Sequence, residues 1–268
     1  MVAMSELRST PGAPRSNLPS AGGSRADDQA TPVADDHVDL ALLPRGLLRQ
    51  MLAAGVEVLE CRRVLEKADL NIVGEVLRGH GTFYELDHYP PEDVYDRHSH
   101  SQYYYHAHRG LGGQHGHFHT FLRGPGMPRG VRPVPYSGQE KWPAGKEAIS
   151  HLVAISMDAY GWPTGLFTVN RWVTAEAFYP AEAVIKMLDR YVIDHAYPSW
   201  PVNRWISAMM ILFRPQIEAL IRARDAAVSA WANAHPGADV FEDRGLEVTS
   251  ELRLTVEEQI ERLRAALK

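Results

Sequence analysis

The chain has 268 residues, a formal net charge of −5, 45% hydrophobic and 23% charged residues. That length suits one large domain or two small ones with a sizeable core, and the slight acidic surplus gives no electrostatic reason to expect a nucleic-acid partner. No apolar run approaches the roughly 18–20 residues that span a bilayer, and the single cysteine, Cys61, excludes an internal disulfide and any multi-cysteine metal site. Without an apolar leader segment, a reducing cytoplasm is the expected compartment, with neither nucleic acid nor membrane as partner.

Residues 1–36 are rich in Ser, Pro, Gly, Ala and Asp. They carry too little apolar surface to offset the entropy of ordering and read as a disordered tail, leaving 37–268 as one domain. After Pro44, Leu47, Leu48, Met51, Leu52, Val56, Val58, Leu59 and Leu65 recur at helical spacing. A short helix follows over 72–78, stopped by Gly79 and Gly81. The pattern then changes to period two with aromatic and β-branched residues, which predicts strands at 82–88, 101–109, 115–123, 151–158 and 166–174. Glu92, Asp93 and Asp96 fall in a loop after the first of these, where solvation explains them. Helical spacing returns over 181–193 and from about 201 to 233, with a kink expected at Pro215. Residues 246–254 alternate weakly, as an edge strand would. Thr255 and Glu258 form a capping-box pair ahead of a last helix with Ile260, Leu263 and Leu267 on its apolar face. Helices, then strands, then helices predict an α+β fold: an antiparallel sheet of about five strands with flanking N- and C-terminal helices.

Thirteen histidines occur in the chain, and seven of them (His98, His100, His106, His108, His115, His117 and His119) fall within 22 positions, where even spacing would put about one. Side chains alternate along a strand, so His106 and His108 share a face, as do His115, His117 and His119. The glycine-rich segment 110–113 reverses the chain between them, making 101–123 a hairpin. Its register pairs Arg109 with Gln114, His108 with His115, His106 with His117 and Tyr104 with His119. Opposed Cβ atoms about 4.5–5.5 Å apart let several imidazoles converge on one ion. Crowded imidazoles would otherwise repel when protonated, or leave ring nitrogens unpaired when buried and neutral. His106, His108, His115, His117 and His119 are therefore the candidate ligands of a divalent transition metal (iron, copper or zinc), with His106, His108 and His117 the most central. His-x-His on one strand facing a third His is the ligand geometry of carbonic-anhydrase-like zinc sites, by analogy of geometry alone. A cupin would need a Glu three or four residues after His-x-His, and neither HSH nor HAH has one.

Tyr104 stands on the histidine face, where its hydroxyl could bind substrate or donate a proton, although packing explains it too. Arg109 and Arg123 frame the hairpin and could clamp an anionic group; surface charge is the plainer account. His98 and His100 could add to the rim. His151 shares its strand face with Val153, Ile155 and Met157 and reads as a core residue, while Glu85 and Asp87, on the other face of the strand that ends at His88, could supply a carboxylate ligand or an acceptor for a ligand's second N–H. The chain has no G-x-S-x-G elbow, phosphate loop or H-E-x-x-H helix.

The stretches GHGTFYELDHYPPEDVYDRHSHSQYYYHAHRG and HGHFHTFLRGPGMP, with HLVAISMD and DHAYPSWPVNRW further on, resemble a bacterial family of unknown function over most of the chain after residue 40. The resemblance implies no activity. The residues themselves point to a metal-dependent enzyme acting on a small, possibly anionic molecule, an iron or copper oxygenase ahead of a zinc-dependent hydrolase or lyase. A non-catalytic metal sensor, store or delivery protein and a pH-responsive interaction protein are the alternatives. The sequence leaves the oligomeric state open.

Overall fold

The computed structural model describes residues 38–268 apart from 82–83, 85–86 and 108–114. The tail at 1–36, most of the strand expected at 82–88, His108, Arg109 and the turn at 110–113 lie outside the described residues. Among the described residues six strands form one antiparallel sheet in chain order: β1 (His88–Tyr95), β2 (Ser101–Ala107), β3 (Gly116–Arg123), β4 (Ile149–Met157), β5 (Pro163–Val169) and β6 (Val248–Arg253). Before them come α1 (Arg45–Glu66) and α2 (Ile72–Leu77); α3 (Arg171–Thr174), α4 (Ala181–Leu188), α5 (Trp200–Leu212) and α6 (Arg214–Ala234) separate β5 from β6, and α7 (Val256–Ala266) ends the chain. The fold is α+β, as the order of patterns predicts. Among the described residues no helix is long and apolar enough to cross a membrane.

One sheet face carries Tyr103, Tyr105, Phe118, Leu122, Val153, Ile155 and Leu166 into a core shared with Leu48 and Met51 of α1, Trp205 and Met209 of α5, and Ile217 and Leu220 of α6. Phe118 meets Trp205 with ring centroids 5.9 Å apart. Tyr103, fully buried, donates its hydroxyl to Asn203 Oδ1 at 2.6 Å, and Asn203 Nδ2 donates to the carbonyls of His195 and Tyr197. With this face sealed by helices, the alternate residues of β2 and β3, the histidines among them, stand on the other face.

Several elements depart from the sequence expectation for identifiable reasons. β1 begins where the strand expected at 82–88 was to end, and it contains Pro90 and Pro91. An edge strand tolerates prolines because one side has no ladder to complete. Both fall in a bulge, since Tyr89 pairs with Tyr105 and Val94 with Tyr103, leaving four residues opposite Tyr104. Glu92 and Asp93 are therefore strand residues. The strand expected to reach 174 stops at Val169: Asn170 accepts from Arg171 N–H at 2.8 Å, capping α3, and donates to Val240 O at 2.7 Å. The helix expected over 181–193 ends at Leu188. The long helix from about 201 is not kinked but broken at Phe213, and Pro215 sits in the first turn of α6, where its missing N–H removes no helical bond. Thr255 is the N-cap of α7 but its side chain makes no capping bond, so the capping box is not formed; Glu257 and Glu258 still place negative charge at the helix start.

Candidate metal centre

The β2–β3 register matches the pairing read from the sequence: His106 faces His117, and Tyr104 faces His119. Their alternation puts three imidazoles on the face opposite the main helical core. His106, His117 and His119 each offer a ring nitrogen within 4.8 Å of the other two. A tetrahedral ion with bonds of about 2.0–2.1 Å needs nitrogens roughly 3.4 Å apart, so binding would draw the three rings together. Ring centroids lie 5.7 Å apart for His106–His117, 4.6 Å for His117–His119 and 6.4 Å for His106–His119. His119 is 1% exposed and His117 8%, with His106 half-buried. Phe167 sets its ring against His117 at 5.0 Å, and Tyr104 lies 5.1 Å from His119.

Burial, reinforced by the nearby imidazoles of His117, His151, His106 and His88, pushes His119 well below the ordinary histidine range. It is therefore neutral, which is the metal-ligating form. Burial likewise raises the Tyr104 hydroxyl, helped by Asp93 and Glu176, so this phenol stays protonated.

Two groups behind the three histidines were assigned other roles by sequence reasoning. On the β1 side, His88 pairs with His106 and stacks on Tyr104 with centroids 3.6 Å apart and planes 9° from parallel. Its Nδ1 lies 2.8 Å from Asp93 Oδ1. Asp93 has φ +56°, a backbone state in which Asp is one of the few side chains at ease, and the bulge returns it toward His88. Asp93 Oδ2 accepts from Gln102 Nε2 at 2.5 Å, and Gln102 Oε1 accepts from Arg123 Nε at 2.6 Å. The carboxylate on His88 is thus Asp93, a residue whose sequence position suggests only solvation; Glu85, one of the two carboxylates proposed from the sequence, lies outside the described residues.

On the β4 side, His151 is 2% exposed and its Nε2 lies 3.0 Å from His119 Nδ1. Strict alternation would put His151 with Val153 and Ile155. A register shift intervenes: Thr120 pairs with Val153 and Phe121 with His151, leaving Leu152 as the extra residue of a bulge. Leu152 and Val153 both join the helix-side core, and His151 turns to the histidine face. Its main-chain N–H donates to Glu176 Oε2 at 2.5 Å. Burial lifts Glu176 to about 7 against the pull of Arg224 and its hydrogen bonds, and burial lowers His151 to about 3.

The remaining candidates are distributed as follows. Tyr104 lines the three-histidine set. Arg123 holds Gln102 and, through it, Asp93. His115 is not one of the converging three: its Nδ1 lies 2.8 Å from the Tyr105 hydroxyl. Gly116 permits this approach, because a Cβ there would overlap the His106 carbonyl oxygen and lie 2.6 Å from Tyr105 Oη. His98 and His100 belong to the turn between β1 and β2, where Asp96 accepts from the His98 and Ser99 N–H groups and His100 Nδ1 meets Tyr95 Oη at 2.5 Å.

The molecule is thus an α+β protein whose sheet presents three convergent histidines, a cluster that can hold a metal ion. It belongs to the family described as a domain of unknown function, DUF6969, whose model matches residues 52–254. No curated protein and no solved structure matches the chain.

Proposed function

We propose that the protein is a metal-dependent enzyme acting on a small molecule, with a divalent transition metal held by His106, His117 and His119. The observation that carries this reading is the convergence of three ring nitrogens within 4.8 Å on adjacent strands. A hairpin is stiff, so the ligands are positioned by the sheet itself rather than by a loop. Three protein ligands leave a coordination position for substrate or water, as in catalytic rather than structural sites. An all-imidazole set with Tyr104 nearby suits iron, copper or zinc, and this reading puts an iron or copper oxygenase ahead of a zinc-dependent hydrolase. A bound iron or copper would supply dioxygen activation. Neutral imidazoles leave the ion's charge uncompensated, which favours an anionic substrate. His88, oriented by Asp93 beside His106, would hydrogen-bond to a group at the open position.

Elemental analysis of tag-free protein purified without a metal-affinity column tests this. Near-stoichiometric iron or copper is expected, lost in a folded His106→Ala/His117→Ala variant. Zinc in their place would move the reaction to hydrolysis or a lyase step. Wild type that contains no metal and takes up none would refute the assignment.

A further inference from the structure

We infer that His151 is a positioning residue of this centre: it accepts the Nδ1 proton of His119 and so holds His119 in the tautomer that presents Nε2 to the ion. The inference rests on the metal reading above and adds a specific role for a residue outside the ligand set.

The geometry leaves His119 one way to serve as a ligand. Its Nδ1 has His151 Nε2 at 3.0 Å, so that nitrogen is closed to an ion and Nε2 remains. Between two neutral imidazoles the shared proton belongs to one ring. If His151 donated, the proton of His119 would sit on Nε2 and block coordination. If His119 donates, Nε2 keeps its lone pair available to an ion. An ion selects the second arrangement, and a ring nitrogen 3.0 Å from Nδ1 stands where it can accept that proton. Metal-bound histidines commonly pass their second N–H to such an acceptor, which fixes ring orientation and raises ligand basicity.

The surroundings of His151 show that its placement is imposed. Without the bulge at Leu152 its ring would point among the helices. Glu176, wholly buried, fixes the bulged backbone by accepting from the His151 N–H at 2.5 Å and from Thr174 Oγ1 at 3.3 Å. Burying a carboxylate costs stability that an apolar residue would not. A bulge and a buried acid spent on one imidazole are accounted for if that imidazole has a site to support.

The test uses the full chain stripped of metal, titrated with Co2+, for wild type, His151→Leu and His151→Gln. Wild type should bind about one equivalent with a visible ligand-field spectrum. His151→Leu should bind about 10–100-fold more weakly with an altered spectrum, and His151→Gln, which keeps an acceptor, should recover part of the loss. Nitrogen-15 NMR of the metal-free wild type should show His119 carrying its proton on Nδ1, and this reading needs no variant to fold. Leu and wild-type proteins with equal affinity and spectra, or a His119 protonated on Nε2, would overturn the positioning role while leaving the metal site standing. Wild type that binds no Co2+ would overturn both.

Discussion

The buried pair His151 and Glu176 makes a quantitative prediction for the metal-free protein, because the two titrate in opposite senses. Burial lowers His151 from 6.5 to about 3, so its contribution to stability is present above 6.5 and is lost as pH falls toward 3. Burial raises Glu176 from 4.5 to about 7, so its contribution is present below 4.5 and is lost as pH rises through 7. Between about pH 7 and about pH 5 the unfolded chain protonates His151 and the folded one protonates Glu176. Each change amounts to roughly 2 kcal/mol, with opposite signs. His119, lowered in the same direction as His151, is left to make the protein acid-sensitive. Glu176→Gln removes the offset. The variant should therefore lose about 2 kcal/mol more than wild type on going from about pH 7 to about pH 5. Urea unfolding with chelator present reads this as an extra midpoint shift of roughly 0.7–1 M, for a slope of about 2–3 kcal/mol/M. Comparing the pH difference within each protein cancels any pH-independent cost of the substitution. Equal losses in variant and wild type would show that Glu176 is ionised throughout this range in the folded protein, and the reasoning would fail.

Two further substitutions probe the framework that aligns the histidines. Gly116→Ala should drive β2 and β3 apart beside His106 and His117, costing about 1–3 kcal/mol, or roughly 3–10 °C in melting temperature, and weakening Co2+ binding; wild-type melting and affinity would refute the close-approach argument. Asn203→Ala should cost about 2–4 kcal/mol, because it strands the buried Tyr103 hydroxyl and two carbonyls. Paired with Tyr103→Phe, it should cost less than the sum of the two single changes in chemical unfolding, and strict additivity would contradict the shared bond.

The hairpin was legible because a simple periodicity and a turn signal coincide there. Period-two spacing of His117 and His119, a glycine-rich reversal and one register fix which side chains face one another, with no knowledge of the rest of the fold. The last helix was legible for a similar reason, since Ile260 and Leu263 are buried as its spacing requires. Pro90 and Pro91 concealed β1, because their exclusion from strands does not hold at a bulged edge, and edge position is a property of the whole sheet. The end of β5 depends on Asn170 finding Val240, seventy positions away.

The partners of the histidines escaped for a deeper reason. His88 with Asp93 and His151 with Glu176 both reach the site through bulges, one in each strand flanking the ligand hairpin. A bulge shifts every later side chain to the opposite face, and nothing local marks where it falls. In SHLVAISM, Leu152 and Val153 are both apolar, so strict alternation and the bulged register fit the same letters equally well. What separates them is the cost of aiming His151 into an apolar helical layer without a partner, set against its bond to His119 and the backbone bond to Glu176. That comparison needs three residues from β3, β4 and the segment after α3 to be placed together. The regular strands of this sheet therefore carry the proposed ligands, and its irregular strands carry the groups that orient them.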